Sequence, residues 1–72
     1  MKHPSPGIYK HYKGNEYQVI DTARHSEDES YYVVYRPLYG ERKLWIRPLD
    51  MFMETVSVNG ETKPRFEYLR DA

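Results

Sequence analysis

Cysteine is absent from this 72-residue chain, which excludes disulfide staples, thiolate metal sites, iron–sulfur clusters and a cysteine nucleophile. Net charge is absent as well. Eleven basic residues meet 11 acidic ones, so no global field draws the protein toward duplex nucleic acid or an anionic membrane. The four glycines all sit at arm or turn positions and form no Gly-rich phosphate loop. The longest apolar run, Tyr31 to Tyr35, is far too short to cross a membrane. Met1-Lys2-His3-Pro4-Ser5-Pro6-Gly7 lacks the apolar centre of a signal peptide. The expectation is a cytoplasmic protein with no membrane attachment.

Apolar residues are scarce too, at 39%, a level that raises the question of disorder. The aromatic content answers it. Eight of the 11 aromatics are tyrosines spread from Tyr9 to Tyr68. Tyrosine brings a large apolar body with a polar tip, so it builds a thin core while its hydroxyl reaches the surface. A chain this short is one domain, because dividing it would leave neither part a core.

The pattern along the chain is strand-like. Residues 1–7, with two prolines and a glycine, read as a flexible N-terminal arm, and residues 8–72 as a single β domain. Ile8 to Lys13 ends at Gly14-Asn15, and Glu16 to His25 follows with Tyr17, Val19 and Ala23 on one face. Ile20 points the other way, which predicts a hard bend. Tyr31 to Leu38 is the richest strand in β-branched and aromatic residues. Lys43 to Arg47 returns with Trp45 and Arg47 on one face. Leu49, Phe52 and Met53 have the spacing of one helical turn near residues 48–53. Asn59-Gly60 is a hairpin signal that predicts Thr55–Val58 pairing with Arg65–Leu69. The sum is all-β: a small SH3-like barrel of five to six short antiparallel strands.

Several strings resemble a known family. Gly7-Ile8-Tyr9-Lys10-His11-Tyr12-Lys13-Gly14, Ala23-Arg24-His25-Ser26-Glu27 and Val34-Tyr35-Arg36-Pro37-Leu38-Tyr39-Gly40 are followed by Leu44-Trp45-Ile46-Arg47-Pro48-Leu49, Met51-Phe52 and Pro64-Arg65-Phe66. Together they resemble the small bacterial domain-of-unknown-function family 1653, over about Gly7 to Leu69. The resemblance implies a stand-alone, mostly β domain and carries no established activity.

The candidate chemistry lies where basic residues alternate with aromatics. Tyr9 and His11 share one face of the first strand, and Tyr32, Val34 and Arg36 one face of the third. If those faces are contiguous with Trp45 and Arg47, the side chains of His11, Arg36, Arg47 and Arg24 converge around Tyr9 and Trp45. Arginine forks onto carboxylate or phosphate, and aromatic faces stack on bases. Candidate ligand-binding residues are therefore Tyr9, His11, Arg24, His25, Arg36, Trp45 and Arg47. The reading is a binding module for an anionic ligand: nucleic acid, a nucleotide or an acidic peptide. The alternatives are a small hydrolase or nucleotide-processing enzyme using His11, His25 and Glu27, and an accessory subunit that binds a protein partner. Strand alternation argues against His25-Ser26-Glu27 as a triad. No histidine spacing matches a metal-ligand motif, so no metal and no cofactor are expected.

Overall fold

The computed structural model describes residues 3–72. In chain order the elements are β1 (Gly7–His11), β2 (Glu16–Arg24), β3 (Tyr31–Pro37), β4 (Trp45–Pro48), α1 (Leu49–Phe52), β5 (Thr55–Val58), β6 (Glu61–Pro64) and β7 (Phe66–Arg70). Five strands form an antiparallel sheet in the order β4-β3-β2-β1-β7, and β5 pairs with β6 in a separate ladder.

Alternation in β3 sets the two faces. Val33, Tyr35 and Pro37 are buried, whereas Tyr32, Val34 and Arg36, which alternate with them, are partly exposed. The inner face continues through Tyr17 and Val19 of β2, Tyr9 of β1 and Phe66 of β7, all within the core cluster. Leu49 and Phe52 of α1 close over it. They lie three residues apart, on one side of a single helical turn. The helical turn falls inside the expected span, but Met53 is 48% exposed. It follows the last helical residue, so its side chain leaves the apolar face.

The expected bend in β2 is a bulge. The β2–β3 register shifts between Val19 and Asp21, leaving Ile20 unpaired and exposed. One extra residue reverses every later side chain. Thr22, opposite Val33, thus joins the inner face and Ala23, opposite Tyr32, leaves it. The expected grouping of Ala23 with Tyr17 and Val19 fails for that reason.

The hairpin at Asn59-Gly60 also has a different partner. Its two residues have φ of 51° and 81°, both left-handed as a tight hairpin turn requires. They join β5 to β6, with Val58 opposite Glu61. Glu61-Thr62-Lys63-Pro64 has no apolar alternation and gives no strand signal. β7 pairs instead with β1, where Phe66 and Tyr68 lie opposite His11 and Tyr9. Among the described residues this makes seven strands, against the five to six expected. No ladder joins β4 to β7 among the described residues, so hydrogen bonding does not close the sheet into a barrel.

The chain before β1 lies against the sheet. Pro4 is buried, the Tyr9 hydroxyl donates to the Ser5 carbonyl at 2.8 Å, and the His3 and Tyr31 rings are 4.9 Å apart. Gly7 already belongs to β1. Met1 and Lys2 of the expected arm lie outside the described residues.

Candidate functional site

Trp45 and Arg47 alternate along β4, opposite Tyr35 and Val33 respectively, which places both on the inner face. β4 is an edge strand, so this end of the inner face is left open. Trp45 remains 45% exposed, its ring 6.1 Å from Tyr35 and 6.3 Å from Tyr17. Tyr39, from the β3–β4 connection, is also exposed. Its hydroxyl lies 3.2 Å from that of Tyr17. Burial, reinforced by that hydrogen bond, pushes the Tyr17 hydroxyl up to about 12, so it keeps its proton at neutral pH.

Arg47 is half-buried. Its Nε donates to the Tyr35 hydroxyl at 3.3 Å, and its guanidinium lies over the Phe66 ring at 5.6 Å. Ion pairs among the described residues join Arg24 to Glu29, Lys43 to Glu41, Arg65 to Glu54 and Arg70 to Glu16. Arg47 is in none of them. A partly desolvated guanidinium held by a phenol and an aromatic ring thus keeps its charge uncompensated.

His11 approaches the same cluster from β1. Its ring meets the edge of Phe66 at 4.9 Å and lies 6.3 Å from Tyr17. Nδ1 accepts the Lys13 backbone N–H at 3.2 Å, which leaves the ring proton of the neutral form on Nε2. Burial lowers the His11 pKa below its ordinary value, and the charges of Arg65, Arg47 and Lys13 lower it further. At neutral pH the ring is therefore an uncharged Nε2–H donor beside two arginines.

His11, Trp45 and Arg47 are thus brought together, around Tyr17 and Phe66. The other expected residues are not. Arg36 lies opposite Gln18 on the outer face, because it follows the inward Tyr35 by one position; the expected convergence of three arginines fails here. Arg24 is on the inner side through the β2 bulge, yet it ion-pairs with Glu29 at 3.6 Å. It also donates to the Tyr31 hydroxyl, and its guanidinium stacks over that ring. His25 organises the β2–β3 loop, its Nδ1 accepting the Glu27 N–H at 3.1 Å. Tyr9 is only 6% exposed and sits in the core. Among the described residues no three His, Asp or Glu side chains gather as a metal site would need.

The sequence offers Arg65, after Pro64, as a further cation for this face, but gives no sign that Tyr17, Tyr39 and Phe66 belong to it. Tyr39 lies in a turn and Phe66 in a strand whose partner was misassigned. No pattern in the chain announces that β7 crosses to β1.

A family model described as protein of unknown function (DUF1653) matches residues 7–68. No curated protein matches. Among solved structures, the chain is similar to a crystal structure of a DUF1653 protein from Bordetella bronchiseptica, with 35% sequence identity and a TM-score of 0.85. That similarity covers 96% of this chain and 91% of the other. The family model and the shared fold agree over nearly the whole sequence, and the chain belongs to the DUF1653 family.

Proposed function

We propose that this chain is a non-catalytic binding module whose Trp45, Arg47 and His11 face takes a planar anion, a nucleotide or a nucleotide unit of single-stranded nucleic acid. The observation that carries the reading is Arg47, which is half-buried, fixed by Tyr35 and Phe66, and without a carboxylate partner among the described residues. A guanidinium in that state favours a phosphate over water, because charge-assisted hydrogen bonds strengthen as water is excluded. The half-exposed Trp45 ring offers a stacking surface for the base. The Nε2–H of neutral His11 supplies a further donor. Zero net charge suits a local patch better than a broad duplex-binding surface.

An enzyme built on His11, His25 and Glu27 draws less support. His11 ends β1 and His25 lies in the β2–β3 loop, and each uses Nδ1 to accept a nearby backbone N–H. The test is a ¹⁵N NMR titration with adenosine 5′-monophosphate and with a single-stranded oligothymidylate. The expected result is saturable movement of the Trp45 indole and Arg47 Nε–H signals. Arg47→Lys keeps the charge but loses the fork, and should weaken binding by about tenfold. Unmoved Trp45 and Arg47 signals at millimolar ligand would retire the proposal.

A further inference from the structure

Two clefts flank the β7 edge of the sheet. One, of about 330 Å³, is lined by Lys10, His11, Tyr12, Lys63, Pro64 and Glu67. The other, of about 280 Å³, is mostly apolar and includes Tyr9, Phe52, Met53, Phe66 and Tyr68. Both share Pro64 and Glu67. The β1–β7 register explains their placement. Lys10 lies opposite Glu67, while Tyr9 lies opposite Tyr68 and His11 opposite Phe66. Strand alternation therefore sends Lys10 and Glu67 to the outer face, and Tyr9, Phe66 and Tyr68 to the inner one. The two clefts adjoin along the β7 edge, with Pro64 and Glu67 common to both and the inward His11 also lining the basic one.

The edge itself is open. β7 is the last strand of its sheet, and its only ladder among the described residues is the one with β1. A strand laid along it would find unpaired backbone groups, with cavities for its alternate side chains. We infer that β7 is a docking edge for an extended segment of a partner protein whose residues alternate apolar and acidic. The apolar side chains enter the cleft of Tyr9, Phe52 and Tyr68. The acidic ones face Lys10 and Lys63, whose two charges outweigh that of Glu67. This site adjoins the Trp45 face, sharing His11 and Phe66 with it, but it is built on the opposite edge strand of the sheet, and neither proposal depends on the other.

The test is a ¹⁵N NMR titration of the whole chain with the blocked hexapeptide Val-Glu-Val-Glu-Val-Glu. Saturable shifts are expected at the β7 amides, Lys10, Lys63 and Met53, with the Trp45 indole unmoved. Lys63→Glu, a change at an exposed position of β6, should weaken binding about threefold. A peptide with lysine in place of glutamate should bind more weakly still, and one with proline in place of valine should lose strand pairing. Equal binding of the lysine or proline peptide would overturn the inference, as would shifts confined to Trp45 and Arg47. So would a lack of saturable shifts, or sedimentation showing that β7 is already occupied by a second copy of the chain.

Discussion

Phe66 connects the core to the candidate site. Its ring stacks on Phe52 at 4.2 Å with planes 4° apart, and the same ring supports Arg47 and His11. Phe52 is among the largest fully buried side chains, so Phe52→Ala should cost about 3–5 kcal/mol. In a domain of this size that is a large share of the total stability. Urea unfolding followed by circular dichroism is expected to show the variant largely unfolded without denaturant. His11 carries a pH dependence with a definite sign. Its folded pKa lies below the ordinary 6.5, so the unfolded chain binds the proton more readily. The group contributes stability fully above about pH 6.5, and the contribution is lost as pH falls toward the folded pKa. Between pH 7.5 and 5.5 the urea midpoint should fall further in the native protein than in His11→Asn. Equal losses would mean that His11 is not desolvated as the geometry requires.

At the scale of elements, β1 decides most. It joins β2 to β7, and its first residue sits where no other residue fits easily. Gly7 has φ of 154°, and a Cβ there would lie 2.8 Å from both the Arg70 carbonyl oxygen and Tyr68 Cε1. Gly7→Ala should therefore destabilise the protein by about 1–3 kcal/mol, with the loss centred on β7. Reduced amide protection from Phe66 to Arg70, with β2–β3 protection less affected, is the expected exchange pattern. The hairpin of β5 and β6 is a weaker unit. Both strands are largely exposed, and Gly60→Ala should loosen their turn with little effect on the main sheet. β3 and α1 were legible from the chain because each has a regular apolar spacing. β6 was not, because a strand exposed on both faces has no apolar period to read.

For the molecule as a whole, stability should concentrate in the middle of the five-stranded sheet. β2 and β3 are paired on both sides, whereas β4 and β7 are edges. Val19 and Val33, at 1% and 0% exposure, mark the driest point. Native-state hydrogen exchange should be slowest for the amides around them and fastest in β5 and β6. Uniform exchange across all seven strands would contradict this arrangement. The ion pairs should contribute little. Those of Arg24 and Arg70 join side chains that are mostly in water, where such pairs are worth about 0–1 kcal/mol each. Added salt is expected to leave the urea midpoint nearly unchanged.

Composition and alternation by themselves determined that this chain is a small, tyrosine-cored β domain with a helical turn before its last strands. Those properties follow from local spacing, which a single strand or turn already expresses. The family was legible in the motif strings and is carried by nearly the whole chain. Which residues share the candidate site was decided only by tertiary structure. The bulge at Ile20 reversed the faces of Thr22 and Ala23, alternation in β3 sent Arg36 away from Arg47, and the crossing of β7 to β1 brought Phe66 beneath Arg47. Each of these depends on register between distant segments. A one-residue slip changes the face of every following side chain without changing the composition at all.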